Sequence, residues 1–260
     1  MARTAQRNRP VVDSLLGITD RLSNQLAGIP AAGTGLHIYN PLIYAGEVYR
    51  RYISAWAPEA PRAILLGMNP GPWGMAQTGV PFGDIVSVRD WMGITGTVEP
   101  PADEHPSRPI RGFSCSRREV SGRRLWGWAH ETFGPPERFF EHFFVLNYCP
   151  LLFFTDTGKN LTPDKLPVSM REPLLTCCDK ALVDTLKLLQ PRWALGIGRF
   201  AEQRLRSIRL FPMPEIIGVP HPSPANPAAN KGWSRLIRRA LKRAGVPLPP
   251  ATSPDRSSNQ

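Results

Sequence analysis

Apolar residues gather into four short runs along this chain: AILLG at Ala63–Gly67, FFVLN at Phe143–Asn147, WALGIG at 193–198 and EIIGV at Glu215–Val219. Each stops at glycine, asparagine or a following proline, as buried strands do where they leave a sheet. Amphipathic stretches lie between most of them. Val12, Leu15, Leu16, Ile18, Leu22 and Leu26 recur at helical spacing and predict a helix over 11–29, with Asp13 or Ser14 near its start. Further helices are predicted from Ile43, over 171–189, and from about Asn230. In the last, Trp233, Leu236, Ile237, Ala240, Leu241 and Ala244 form an apolar stripe, opposite a basic stripe that reads as a solvated face. Strands that alternate with helices need long crossovers and are therefore parallel. The predicted fold is α/β, a three-layer α/β/α sandwich around a central, mainly parallel four-stranded sheet.

Ligands of such sheets bind beyond the carboxyl ends of the strands, so the loops GMNPG, NYCP, GIGR and GVPHPSP are expected to converge on one crevice. The first opens a longer stretch, GMNPGPWGMAQTGVPFG at 67–83, whose five glycines and three prolines exclude both helix and strand ladder. Within it Asn69, Gln77, Thr78, Trp73 and Phe82 have side chains able to act on a planar polar ligand. His221 follows the fourth run, between prolines that stiffen its loop. Asn147 holds the matching place on the second run, and its amide offers a donor and an acceptor to the edge of a base. Phe82 supplies a flat face on which a base can stack, or else pins its loop to the core. GIGRFA at 196–201 has the spacing of a dinucleotide fingerprint, but it sits on the third run with no acidic ribose partner after it. Close packing of a helix on the sheet is the better reading, and no cofactor is expected.

Composition narrows the partner. A net charge of +11 over 260 residues favours a polyanion, most simply nucleic acid. The insert at 84–142 carries six arginines between 108 and 124 against Glu119 alone, which suits a solvated surface and a DNA backbone equally. Cys115, Cys149, Cys177 and Cys178 form no C-x-x-C pair, so no metal is expected and the thiols read as small apolar side chains. With no signal peptide and no apolar run near eighteen residues, the expectation is a soluble, monomeric, intracellular protein, cytoplasmic in a bacterium and nuclear in a eukaryote. No composition break divides it, so a single domain over 11–247 is expected between a basic tail at 1–10 and a proline-rich tail at 248–260, both disordered.

GMNPGPWGMAQTGVPFG, VRDWMGI, EVSGRRLWG, NYCPLLF, GKNLTP and HPSPANPAANKGW together resemble the motifs of the single-strand-selective monofunctional uracil-DNA glycosylases. The resemblance spans residues 38–247. It implies a base-excision repair enzyme that flips uracil, or an oxidised 5-substituted uracil, out of single- or double-stranded DNA and hydrolyses its bond to deoxyribose. It places the water-positioning asparagine at Asn69 and the leaving-group histidine at His221. It assigns Met68, Gly71, Met75, Phe82 and Asn147 to the base pocket. It assigns Pro222, Ser223, Ala225, Asn226, Asn230 and Lys231 to the segment that wedges into DNA. Members strict for uracil carry a tyrosine near Gly71, so glycine there implies room at the base's C5. Trp73 stands where the family has phenylalanine, and Ala225 where vertebrate members have arginine, which predicts a weaker wedge. No lysine lies in 67–83 to form a Schiff base, so hydrolysis without strand cleavage is expected. Two rival readings remain: a glycosylase for deaminated purines such as xanthine or hypoxanthine, and a basic DNA-binding protein without turnover on the same scaffold.

Overall fold

The computed structural model describes residues 9–29 and 33–249, so most of both expected tails lies outside the described residues. Helix α1 spans Arg9–Ala27 and starts inside the stretch assigned to the basic tail. Pro10 suits a first turn because it has no N–H to leave unpaired there. Next come β1 (Leu36–Tyr39), the single turn α2 (Pro41–Tyr44), α3 (Gly46–Trp56) and β2 (Ala63–Gly67). The expected second helix is thus two pieces, parted at Ala45 and opened by an Asn40 side chain that caps Leu42 N–H at 3.1 Å.

The glycine-rich stretch is irregular except for one turn, α4 (Met75–Thr78). The insert then gives a π-helical turn at Ser87–Trp91, α5 (Val120–Phe133) and α6 (Pro136–Phe140), followed by β3 (Phe143–Asn147). Two short strands, β4 (Leu152–Thr155) and β5 (Asn160–Leu161), precede the long α7 (Val168–Leu189), which continues through Pro173. The chain ends with β6 (Trp193–Ile197), α8 (Arg199–Ser207), β7 (Glu215–Val219), the turn α9 (Pro227–Asn230) and α10 (Trp233–Arg243).

The four predicted runs form one fully parallel sheet in the order β3-β2-β6-β7. From β2 the chain steps outward to β3, then returns across β2 to β6 and on to β7. Parallel crossovers are right-handed, so reversing direction puts α5 and α6 on one face and α7 and α8 on the other. The strand order reverses at β2, which is why the glycine-rich loop leaving it lies at the natural ligand crevice. Every residue of β2 is buried, as a central parallel strand covered on both faces must be.

One face of the sheet is packed by rings. Trp128 meets Phe133, Phe139, Phe143 and Trp233 edge-on, and Phe139 stacks on Phe143 with centroids 5.6 Å apart. Such contacts add about 0.5–1.5 kcal/mol each beyond the apolar area they bury. GIGRFA does what close packing predicts: a Cβ on Gly196 would sit 2.4 Å from Glu202 Cα, so α8 lies against the sheet where only glycine fits.

A second sheet was not legible. β1, β4 and β5 pair antiparallel in the order β1-β4-β5, with Leu36 opposite Thr155. These strands are short, and LHIY shows no alternation of exposure that would mark a sheet face. Among the described residues, no helix is long and apolar enough to cross a membrane.

Candidate active site

The loops after the four parallel strands meet at one end of the sheet. The ends of β2 and β3 are tied by backbone bonds, with Tyr148 N–H donating to Gly67 O and Cys149 N–H to Met68 O, both at 2.9 Å. This fixes Met68, Asn69 and Asn147 side by side. Asn69 Nδ2 donates to Leu151 O at 3.1 Å, which settles which end of the amide is nitrogen. Its oxygen has no partner among the described residues.

Phe82 has a left-handed φ of 54°, a conformation that needs support from its surroundings. Helix α5 supplies it. Trp126 Nε1 donates to Phe82 O at 3.0 Å, and a Cβ on Gly122 would fall 1.9 Å from that same oxygen. The ring lies over Gly67, where a Cβ would come within 2.5 Å of both Phe82 Cε2 and Asn147 Oδ1. Gly67 is glycine because the pocket's two walls close on it.

Asn147 is the pocket's unpaired group. Its Nδ2 lies 3.2 Å from the Met75 sulfur, a weak acceptor, and its Oδ1 is buried without a hydrogen-bond partner. A buried amide left so costs about 1–3 kcal/mol, which marks it as awaiting a ligand edge. Behind Asn147 and Met75 a cavity of about 60 Å³ reaches Thr19 and Tyr49, so this wall is not packed solid.

His221 stands across from Phe82, with ring centroids 6.0 Å apart. Ser223 N–H donates to its Nδ1 at 3.1 Å. An imidazole that accepts at Nδ1 while neutral carries its proton on Nε2, leaving that N–H as the donor. Burial alone pushes its pKa down to about 4, so the ring is neutral at physiological pH. Gly198, at φ 89°, lets the ring lie close to the end of β6: a Cβ there would be 3.2 Å from His221 Cβ.

The depressed pKa has a consequence for stability. The unfolded chain takes up this proton near 6.5 and the folded chain only near 4, so the benefit of a neutral His221 is full above 6.5 and lost as pH falls towards 4. At about 1.4 kcal/mol per pKa unit this is about 3 kcal/mol. Urea denaturation at pH 7 and pH 4.5 is expected to show a smaller acid loss for His221→Gln than for the parent.

The segment 222–231, expected to wedge into DNA, is held from within. Asn226 Nδ2 donates to His221 O at 2.9 Å and its Oδ1 caps Ala228 N–H, while Asn230 Nδ2 donates to Pro224 O at 2.8 Å. Both asparagines therefore shape the loop. Pro222 is buried, Ser223 is half-buried with its hydroxyl accepting from Ala225 N–H, and Ala225 and Lys231 are exposed. Sequence reasoning missed Arg124, which donates to Pro222 O at 2.9 Å and to Asn230 Oδ1 at 2.8 Å and so ties the wedge to α5. Its signal was the basic run, much of which works inside the protein. Arg118 grips the fully buried Asp84 through two bonds of 2.6 and 2.7 Å, Arg117 lies 4.3 Å over the Trp73 ring, and Arg108 donates to Gly158 O. Arg124→Ala is expected to slow base release from duplex DNA about tenfold more than from single strands, as one lost charged hydrogen bond implies. Single-turnover rates on matched substrates measure this.

A second residue escaped notice. The space beside Gly71, expected to be open, is taken by Glu119: a Cβ on Gly71 would lie 2.4 Å from its Oε2. Burial raises the Glu119 pKa, against the N–H groups of Ser121 and Trp73, which favour the ionised form. Among the described residues, no cluster of three or more His, Cys, Asp or Glu side chains is placed to hold a metal.

Comparison with known proteins shows the family. The profile of the Uracil DNA glycosylase superfamily matches residues 55–244. A Bos taurus protein named single-strand selective monofunctional uracil DNA glycosylase is 44% identical over 247 residues, covering 94% of this chain and 90% of the relative. Its Rattus norvegicus namesake is 49% identical over 211 residues, 80% of this chain and 76% of the relative. The crystal structure of wild-type Pedobacter heparinus SMUG2 shares the fold, with a TM-score of 0.62 at 18% identity, over 88% of this chain and 97% of that one. With relatives this similar over this length, the chain belongs to the single-strand-selective monofunctional uracil-DNA glycosylases of the uracil DNA glycosylase superfamily.

Proposed function

We propose that this pocket releases uracil flipped out of DNA, with His221 and Asn69 as its catalytic groups. The observation that carries the proposal is a buried, unpartnered Asn147 Oδ1 together with a His221 ring whose Nδ1 is taken by Ser223 N–H and whose centroid lies 6.0 Å from that of Phe82. Uracil is flat, so it can stack on Phe82, and its N3–H and O4 complement an amide. Its O2 then faces the histidine. The protein is a base-excision glycosylase, and the monofunctional name of its relatives matches the absence of lysine in 67–83.

The N1–C1′ bond breaks with its electron pair leaving on the base. Negative charge develops on the base oxygens, and the sugar takes on oxocarbenium character. Nε2–H of His221 donates to O2 and stabilises that charge without transferring its proton, as an oxyanion-hole donor does. A water held by Asn69 Oδ1 attacks C1′, and its surplus proton finally neutralises the departing uracil anion. Asn69 orients this water but does not deprotonate it, which suits a reaction in which departure runs ahead of attack. Free uracil and an abasic site result, with the strand intact.

Polar 5-substituted uracils fit the same reading, since a group at C5 meets a polar wall beside Gly71. Extrusion costs a few kcal/mol and least in single strands. The exposed Ala225 offers no side chain to fill the gap in a duplex, which favours single-stranded substrates. Ser223 and Lys231 are the wedge residues left to meet phosphate. A panel of oligonucleotides carrying uracil, 5-hydroxymethyluracil, hypoxanthine or xanthine, single- and double-stranded, tests this. Release of the first two alone supports it; release of the purines alone shifts the substrate class; binding without release leaves only a DNA-binding protein.

A further inference from the structure

Two arginines of the basic run share one aromatic ring. Arg117 lies 4.3 Å from the centroid of the Trp73 indole and Arg108 5.7 Å from it, with Trp73 half-buried and Arg117 exposed. Arg108 is fixed by Gly158 O, which accepts from its Nε–H at 2.7 Å, and by the Phe154 ring, 5.7 Å away. Its terminal nitrogens and the whole Arg117 guanidinium have no acceptor and no carboxylate partner among the described residues. Their neighbours differ: Arg118 is neutralised by Asp84, and Arg124 is held by Pro222 O and Asn230 Oδ1.

A guanidinium over an indole gives its face to the ring and keeps its N–H groups, which lie in its own plane, for an acceptor. Two such cations around one ring repel each other, and no acid stands between them. An anion that accepts from them removes that cost, and phosphate matches the fork of N–H groups.

The place of the pair follows from the segment that leads into α5. Glu119 packs on Gly71 and Gly74, a Cβ on Gly122 would meet Phe82 O, and Arg124 donates to Pro222 O. Residues 119–124 thus border the crevice from the glycine-rich turn to the segment 222–231. Arg117 continues this line past the turn, at the end away from 222–231. Gln77 fixes that end: its Nε2 donates to Pro72 O and Pro109 O, both at 3.1 Å, and its Oε1 accepts from Arg111 N–H at 2.8 Å. At about 1.5 Å per helical residue and about 3.3 Å per extended one, Arg117 and Arg124 are at most about 14 Å apart along the backbone, about four nucleotides of strand.

We propose that Arg117, with Arg108 beside it on Trp73, binds a backbone phosphate of the target strand, on the side of the flipped nucleotide opposite the segment 222–231. This rests on the uracil-glycosylase reading above. A strand whose base enters between Phe82 and His221 continues in both directions, and Trp73 holds a cation in place for the direction that 222–231 does not serve. The indole orders Arg117 before DNA arrives, so less side-chain freedom is lost on binding. The contact is blind to sequence and sets the register of the strand.

The test measures kcat/KM for uracil release from single-stranded oligonucleotides in which one phosphate at a time, about four on each side of uracil, is replaced by an uncharged methylphosphonate. In the parent, one replacement on one side is expected to cost about tenfold, as the loss of a charged hydrogen bond does. In Arg117→Gln the same replacement is expected to cost less than about twofold, because its partner is already gone. Trp73→Leu keeps the charge without its support and is expected between the two; a value equal to the parent's would remove the ring from the account. Arg117→Gln is also expected to reduce the slope of log Kd against log salt for a uracil-free single strand by about 0.7, the share of one phosphate, which a structural role would leave unchanged. Equal losses at every phosphate in the parent and Arg117→Gln, with the same salt slope, overturn this site and leave the glycosylase standing. A parent that releases no uracil from the unmodified strand overturns the function, and the salt slope then still decides whether Arg117 meets phosphate.

Discussion

His221→Ala is expected to slow uracil release about 100- to 1,000-fold, the loss typical of removing one well-placed donor to a developing oxyanion. The size follows from the ring's state. Its Nδ1 is occupied by Ser223 N–H, so the proton sits on Nε2, and desolvation holds the pKa at about 4. A neutral donor at this place predicts a rate that stays flat from pH 8 down to about pH 5. An imidazolium requirement would instead make the rate rise as pH falls through 6.5. His221→Gln, with an amide that can still donate, is expected to recover part of the loss. Single-turnover rates across this pH range check both statements together.

Asn69→Ala is expected to lower kcat about a hundredfold while leaving KM within about twofold, because a misplaced nucleophile costs on that order and the proposed role of the residue is to hold water, not base. Asn69→Asp separates two jobs. A carboxylate accepts a proton from water better than an amide does. It has no N–H for Leu151 O, however, and the present bond is 3.1 Å. Two oxygens facing each other push the side chain away, so its rate is expected to fall between those of Asn69→Ala and the parent. The requirement for an asparagine is thus met on both ends of the amide, one towards the loop after β3 and one towards the reaction.

The central sheet was legible because its four strands are unbroken apolar runs that end in turn residues, a pattern that covering a sheet on both faces demands. Asn147 and His221 were legible because each follows such a run at the ligand edge. The antiparallel sheet was not, since its strands are short and β4 follows a motif that already had another explanation. Glu119, Arg118 and Arg124 were missed for a different reason. They lie in an insert without periodic pattern and reach the crevice through side chains, and nothing in local sequence says which acid or arginine will do so. Arg118 instead pairs with Asp84, and Arg124 with the wedge, so a run that looked like a phosphate surface is in part the frame of the pocket.

Gly71 changes most in meaning. As a residue type it implies space, and the space exists only in the sense that no Cβ fills it. Glu119 does, its Oε2 lying where a Cβ on Gly71 would stand. The irregular loop at 67–83 is therefore met by polar groups at both ends, with Asn69 bonded to Leu151 O and Glu119 packed against Gly71 and Gly74.

The most direct measurement is single-turnover release of free base from a single-stranded oligonucleotide with one uracil, by the parent, His221→Ala and Asn69→Ala, with the strand examined before and after alkali. The account predicts release by the parent, a strand that stays whole until alkali cuts it at the abasic site, and both variants slowed at least about a hundredfold. Release by both variants at the parent's rate, or no release by the parent, would contradict it.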